Sequence, residues 1–451
     1  MQICLKIGNA KSQVIAPVGI ITELREQVCS YSNEQTLYAA QGIPYWDGKI
    51  RLMNLKGVFP TGLAHQVVDY LKTKGHKVVA KDYRVRPNAH SYFPKLNAPL
   101  TPRYYQNESL EVSKQKSRGV FKICTGGGKS FTSAMIIADK KVRTLMVVPN
   151  LSLKDQLLKD YISWFGKASV HTDIRSDAPI IVCNFQRLMK MPPKLFEKFE
   201  MLMIDEFHHS ASGSYQKINK YCNNAYYRYG FTGTFLRSDG SDMEMHGVLS
   251  KVIYEVTTSD LIEQGFLVRP EINIINFNPN LGIPYNTRYD QAYSYLVKSK
   301  HFADIVSQIA IQKIKENKQT IILTRRVEHG RLLAKQIPDA VFLSGADQSQ
   351  YRERIKKDFN EKRIRCIVAT EIFGEGVDIP TIDVLINARA QKTEIQTIQG
   401  IGRALRLAPG KEKAEIYDFM FLGQRHLENH SLERVATYKK EQAFILKNIS
   451  F

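Results

Sequence analysis

At 451 residues, 43 % of them hydrophobic and 10 % aromatic, the chain is long and apolar enough for two to four folded domains, which excludes a small module and a disordered chain. Sixty-four Lys and Arg against 44 Asp and Glu leave a formal net charge of +20, so the first partner to consider is a polyanion, nucleic acid or an acidic membrane surface. No apolar run approaches the roughly 20 residues that span a bilayer, and the start Met1-Gln2-Ile3-Cys4-Leu5-Lys6 carries no charged stretch leading into an apolar one, so the expectation is a cytoplasmic protein without membrane attachment.

Residues 1–97 read as a small α+β module. Short apolar runs at Ile50 to Met53 and Val78 to Ala80 suggest strands, and Leu63, Val67, Tyr70 and Leu71 recur at helical spacing until Gly75. Pro87, Pro94 and Pro99 then punctuate a boundary. From 98 to 265, apolar runs at Phe121 to Cys124, Thr144 to Val148, Ile180 to Cys183 and Met201 to Ile204 alternate with helical stretches, the pattern of a parallel sheet covered on both faces. The alternation returns within 266–425, at Thr320 to Leu323, Val341 to Leu343, Ile364 to Val368 and Val384 to Ile386. Residues 268–300, with Pro270, Pro279 and Pro284, read as a connector of extended segments. Within 426–451, Leu432, Val435, Leu446 and Ile449 read as one closing helix. The fold class is therefore α/β, two parallel-sheet domains in tandem behind a small α+β domain. The six cysteines form no C-x-x-C pair, so neither zinc nor a disulfide framework is expected.

The strand ending at Cys124 runs into Thr125-Gly126-Gly127-Gly128-Lys129-Ser130 and then a helix. Glycines let backbone N–H groups converge on a phosphate, the helix N-terminus adds its dipole, Lys129 supplies charge and Ser130 can ligate magnesium. The strict P-loop pattern wants Gly where this chain has Ile123. A second acidic motif, Asp205-Glu206-Phe207-His208-His209, follows the strand at Met201 to Ile204. Asp205 can hold the magnesium ion, and Glu206 can orient and deprotonate an attacking water. The acidic motif alone reads as a solvated loop; paired with Lys129 it supplies the other part of phosphoryl transfer.

Asp-Glu-x-His after a strand, with Thr232-Gly233-Thr234 after the next, resembles motifs II and III of superfamily 2 helicases, which share the departure at position 123. The remaining motifs follow in order. The resemblance implies that in Pro102-Arg103-Tyr104-Tyr105-Gln106 the glutamine Gln106 reads adenine with Arg103 beside it. It implies that motif Ia, beginning Pro149-Asn150, and motif Ib, Asn184-Phe185-Gln186, grip the nucleic-acid backbone. Arg325, in Leu323-Thr324-Arg325-Arg326, occupies the place of motif IV. Ala369-Thr370-Glu371 through Gly374-Glu375-Gly376-Val377-Asp378 resembles motif V, which places Thr370 on nucleic acid and Gly376 and Asp378 at the nucleotide. Motif VI is matched by Gln399 to Arg406, in which Arg403 and Arg406 are one helical turn apart and are expected to reach a γ-phosphate from one helix face.

The first block resembles the N-terminal domain of UvsW-type phage helicases, which remodel branched DNA, through Tyr45-Trp46-Asp47-Gly48-Lys49-Ile50-Arg51-Leu52 and Pro60-Thr61-Gly62-Leu63. Trp46, Lys49 and Arg51 are then DNA-binding candidates, supported by Lys56, Lys72, Lys74, Lys77, Lys81, Arg84 and Arg86 in the same block. Taken together, the resemblance implies two RecA-like domains that bind ATP and magnesium between them and move a monomer along DNA, in the host cytoplasm if the source is a phage. It implies unwinding or branch migration of forks and Holliday junctions in recombination, repair or replication. Three alternatives stay open: an RNA helicase, because backbone grips carry little base information; a nucleic-acid clamp that uses ATP as a switch; and a restriction-type translocase subunit.

Overall fold

A strand buried on both faces needs apolar side chains at every position, and the computed structural model shows that rule twice over. It describes residues 1–31, 47, 49–207, 213–233, 242–370, 381–391 and 400–449, which fall into two compact units: residues 1–123 with 128–255, and residues 124–127 with 256–451.

The first unit begins with a four-stranded sheet built from β1 (Gln2–Ile7), β2 (Lys11–Ile15), β5 (Val58–Pro60) and β6 (Lys77–Asp82), in the order β5-β2-β1-β6. A separate ribbon pairs β3 (Cys29–Tyr31) with β4 (Lys49–Arg51). Alternation buries Ile3 and Leu5 from β1 against Leu24 of the helix Val18–Gln27 and Val67 and Leu71 of the helix Ala64–Thr73. The expected strands near 50 and 78 and the expected helix at 63–71 are present; β1, β2 and the helix at 18–27 join them.

The larger sheet of this unit comprises β7 (Arg118–Ile123), β8 (Thr144–Val148), β9 (Val170–His171), β10 (Ile180–Asn184), β11 (Met201–Ile204), β12 (Tyr227–Thr232) and β13 (Val252–Val256), ordered β13-β7-β12-β11-β8-β10-β9. Its pairings from β7 through β9 are parallel. Strands β8, β10 and β11 are buried along their whole length.

The second unit carries β14 (Arg269–Phe277), β15 (Thr320–Leu323), β16 (Ala340–Leu343), β17 (Cys366–Ala369), β18 (Val384–Asn387), β19 (Lys413–Phe421) and β20 (Ile445–Ile449), all parallel and ordered β16-β17-β15-β18-β19-β14-β20. Two expectations need correction here. The supposed connector holds the nine-residue strand β14, paired on both sides, and a helix at Tyr289–Leu296; Ile272, Ile274, Ile275 and Phe277 are buried, and the three prolines fall at the strand's start and in the loop beyond it. The supposed closing helix ends at Lys440, and Leu446 and Ile449 belong to the edge strand β20. The buried residues of the helix Arg425–Lys440 are Leu427, Ser431, Arg434, Thr437 and Tyr438, whereas Leu432 is exposed and Val435 half-buried, so the apolar periodicity did not mark the buried face.

Candidate nucleotide and nucleic-acid site

Strands β7 and β11 flank β12, so the loops after β7 and β11 emerge at neighbouring carboxyl ends of one parallel sheet, where open α/β sheets bind ligands. After β7 the chain turns through Gly126 and Gly128, whose φ angles of 87° and 76° are left-handed. Gly128 is also the N-cap of the helix Lys129–Lys140, and a Cβ there would stand 2.7 Å from Gln106 Nε2. Two independent constraints therefore call for glycine at 128. Lys129 opens the helix, Ser130 follows it, and the first backbone N–H groups lack intrahelical acceptors, which suits a phosphate.

The loop after β11 completes the charge pattern. The Asp205 N–H donates to the Val147 carbonyl at 2.9 Å, which extends the β11–β8 pairing by one residue. Its carboxylate accepts the Glu206 N–H at 3.0 Å. Glu206 sits at φ 45°, a left-handed conformation that costs a non-glycine residue about 1–3 kcal/mol. Held in that conformation, Glu206 reaches Lys129: Oε1 lies 3.1 Å from the ammonium Nζ, and both side chains are nearly buried. A strained carboxylate beside a helix-N-terminal lysine is a pre-set pair for phosphate chemistry. No group of three or more His, Cys, Asp or Glu capable of holding a metal occurs among the described residues. Asp205 and Ser130 together still suit magnesium, which takes few protein ligands and lets nucleotide phosphates complete its octahedron.

Gln106 is buried and engaged at both ends of its amide: Oε1 accepts the Arg103 N–H at 2.9 Å, and Nε2 donates to the Gly128 carbonyl at 3.5 Å. The upstream element is thus tied to the phosphate loop. Arg103 Nη1 donates to the Tyr105 hydroxyl at 2.9 Å. Thr125 lies in the loop between β7 and Gly126 and is half-buried.

Motifs Ia and Ib meet at the carboxyl ends of the neighbouring strands β8 and β10. Gln186 Nε2 donates to the Pro149 carbonyl at 3.1 Å, and Asn184 Nδ2 donates to Gln186 Oε1 at 2.8 Å. Asn150 caps the helix Leu151–Phe165 by accepting the Leu153 N–H at 2.9 Å. Phe185 packs on the core with its ring 5.3 Å from that of Tyr215, so its side chain is a packing element.

In the second unit Arg325 is exposed at the end of β15, its guanidinium 5.6 Å and 5.5 Å from the rings of Tyr289 and Tyr293. The sequence reading missed both tyrosines, although their i, i+4 spacing in a tyrosine-rich run marks one helix face. Thr370 is buried at the end of β17, its N–H donating to the Leu343 carbonyl at 3.2 Å. Arg403 lies in a helical turn at residues 400–404. Arg406 does not share that turn: it pairs with Leu267 in an antiparallel bridge, while the Leu405 carbonyl accepts the Val268 N–H at 2.8 Å. Backbone pairing with 267–268 ends the helix, so one helix face does not carry both arginines. Burial pulls the Arg406 guanidinium below its usual range.

Lys49 and Arg51 have carboxylate partners. Lys49 Nζ lies 2.9 Å and Arg51 Nε 2.7 Å from Glu26, and Arg51 also meets Asp47 at 2.5 Å. Arg51 and Lys49 together hold the Glu26 carboxyl below its usual range. Arg84 bonds Asp82 and Ser117, and Arg86 bonds the Tyr227 hydroxyl. With Lys74, 3.9 Å from Glu23, five of the nine basic candidates in this block therefore meet partners within the protein itself. Trp46, Gly376 and Asp378 lie outside the described residues.

Residues 99–237 match the family described as type III restriction enzyme, res subunit, and residues 300–408 match the helicase conserved C-terminal domain. The chain is 22 % identical to the ATP-dependent DNA helicase uvsW of Enterobacteria phage T4, over 90 % of this chain and 91 % of that protein. It is 25 % identical to the DNA 3'-5' translocase XPB2 of Sulfurisphaera tokodaii, over 70 % of this chain and 80 % of that one. Its fold is similar to the crystal structure of T4 UvsW, at a TM-score of 0.51 and 20 % identity over the full length of both chains, which supports two tandem RecA-like domains behind a small α+β module. With a nucleotide-loop half and a helicase C-terminal half matched in order along one polypeptide, the chain belongs to the superfamily 2 helicases, enzymes that hydrolyse nucleoside triphosphates.

Proposed function

We propose that this helicase is an ATP-dependent DNA motor that unwinds or branch-migrates forks and Holliday junctions. The observation that carries the reading is the Lys129–Glu206 pair, 3.1 Å apart beyond the ends of the two strands that flank β12, beside a glycine-capped helix N-terminus. Lys129 and the helix N–H groups bind phosphate, Ser130 and Asp205 hold magnesium, and Gln106, already bonded to the loop, contacts the base with Arg103 beside it. Magnesium, when bound, neutralises charge on the phosphates. ATP exchanges Glu206 off Lys129, which leaves the carboxylate able to orient and deprotonate water. Arg403 and Arg406 stabilise the charge that develops on the transferred phosphoryl group, with Gly376 and Asp378 at the nucleotide. Pro149, Asn150, Asn184 and Gln186 on one unit, and Arg325 and Thr370 on the other, contact the strand backbone, so alternating affinity through the ATP cycle gives translocation.

The similarity to a DNA helicase and a DNA translocase favours DNA over RNA. Among the described residues no helix is long and apolar enough to cross a membrane. The test is ATPase rate measured side by side with single-stranded DNA, duplex, forked DNA, four-way junctions and RNA. Strongest stimulation by forks and junctions is expected. Stimulation by RNA alone, or binding without turnover, overturns the reading in favour of an RNA helicase or an ATP-switched clamp.

A further inference from the structure

The second unit encloses an ionic network that none of the roles above uses. Asp418 on β19 and Arg434 on the helix Arg425–Lys440 are both almost completely buried and pair through two bonds, Nε to Oδ2 at 2.9 Å and Nη2 to Oδ1 at 3.0 Å. Tyr438 adds its hydroxyl to Asp418 at 2.5 Å. Burying two charges costs several kcal/mol per ion, and replacing such a pair with apolar groups is often neutral or stabilising, so stability alone is a weak reason for one.

Where the network leads is more informative. Arg434 Nη1 reaches the Gln391 carbonyl at 2.7 Å, and Asn387 bridges Asp418 Oδ2, at 3.2 Å, to Arg389 Nε, at 3.1 Å. A Cβ built on Gly400 would lie 3.5 Å from Arg389 Nη2, so the far end of the chain of contacts stands close beside the turn at residues 400–404 that carries Arg403. Ala390, between Arg389 and Gln391, has φ 52°, a left-handed strain for alanine, and its carbonyl accepts the Tyr289 hydroxyl at 3.4 Å. A strained backbone held from outside by buried side chains is over-determined geometry, the condition under which strain persists near functional groups.

We propose that the Asp418–Arg434 pair, acting through Asn387, Arg389 and the Gln391 carbonyl, is a positioning device that sets the turn bearing Arg403 for catalysis. The inference rests on the reading of Arg403 as a group that stabilises the transferred phosphoryl charge. Arg434 touches no reactant; it acts through Arg403.

The test is a double-mutant cycle on the full chain, assayed with saturating DNA well below the unfolding midpoint. Arg434→Lys keeps a positive charge beside Asp418 but cannot fork to Gln391. It should lower kcat by about tenfold or more, since small misplacements of a catalytic group are amplified in rate, while ATP affinity stays within about twofold of the parent. The double variant Arg434→Lys with Arg403→Ala should be no slower than Arg403→Ala alone, because both substitutions remove one function. A lowered melting temperature with normal kcat, or rate losses that multiply in the double variant, overturns the positioning role. If Arg403→Ala itself hydrolyses ATP normally, the finger reading fails and takes this inference with it; if Arg403→Ala loses kcat and Arg434→Lys does not, only the inference fails. Asn387→Ala, which cuts the bridge and leaves the ion pair, carries the same measurement if Arg434→Lys does not fold.

Discussion

At the scale of single residues, the roles proposed for the two charges of the Lys129–Glu206 pair are separable by substitution. Lys129→Ala removes the phosphate-facing cation and should both abolish turnover and weaken ATP binding. Glu206→Gln keeps shape and hydrogen bonding but not basicity, so it should bind ATP and hydrolyse it at least about 100-fold more slowly. Nucleotide affinity and DNA-stimulated ATPase of the two variants check this, and normal ATPase in Glu206→Gln removes the base assignment. A different kind of residue is His329, buried against Phe302 with neither ring nitrogen hydrogen-bonded among the described residues. Burial pushes its imidazole down to about 4 from 6.5. The folded state therefore needs the neutral ring, and the stability it contributes is present in full above pH 6.5. That contribution is lost as the pH falls from 6.5 toward 4, because the unfolded chain takes up a proton there and the folded chain does not. The loss at the acid end is roughly 3 kcal/mol. Urea midpoints at pH 7.5 and pH 5 should converge in His329→Leu relative to the parent; an unchanged pH dependence counts against the assignment.

At the scale of elements, the N-terminal module is joined to the first motor sheet by close backbone packing. A Cβ on Gly62 would run into the His246 carbonyl of the helix Asp242–Leu249, and one on Gly247 would stand 3.2 Å from Pro60. Ser30 Oγ also donates to Glu244 at 2.8 Å, and His90 meets Glu200 at 2.6 Å. Gly62→Ala should therefore destabilise this docking by about 1–3 kcal/mol, seen as a lower melting temperature and faster proteolysis within residues 1–97. Unchanged proteolysis would show that the joint tolerates the extra methyl group. The same packing bears on truncation, because a chain starting near Ala98 would uncover Gly247 and lose the bonds from Arg84 and Arg86 to Ser117 and Tyr227. Point substitutions are the safer probe of what the module contributes.

At the scale of the whole molecule, the +20 charge and the backbone-directed contacts proposed above call for affinity that falls steeply with salt and ignores base sequence. Each neutralised phosphate should add about −0.9 to the slope of log K against log salt on duplex and about −0.7 on single strands. Titrations on two unrelated sequences test this, and a flat response or a large sequence preference overturns it. Sequence by itself determined the motor's α/β class and the order of its chemical parts. Runs such as Met201–Ile204 and Thr320–Leu323 must be buried on both faces, and Gly126 to Ser130 and Asp205-Glu206 carry their chemistry in residue type and local spacing. Tertiary structure alone decided which polar groups are spent on the protein itself. Lys49 and Arg51 are taken by Glu26 and Asp47, while the apolar Phe185 packs on the core and the backbone of Arg406, not its guanidinium, pairs with Leu267. It alone revealed the polar stripe of Arg434 and Tyr438, and it placed 269–277 in the sheet. The physical reason is range: periodicity and motif spacing report what a segment needs from its near neighbours, whereas ion pairs such as Asp418–Arg434 and strand partners such as β14 and β19 are set by residues far away in sequence.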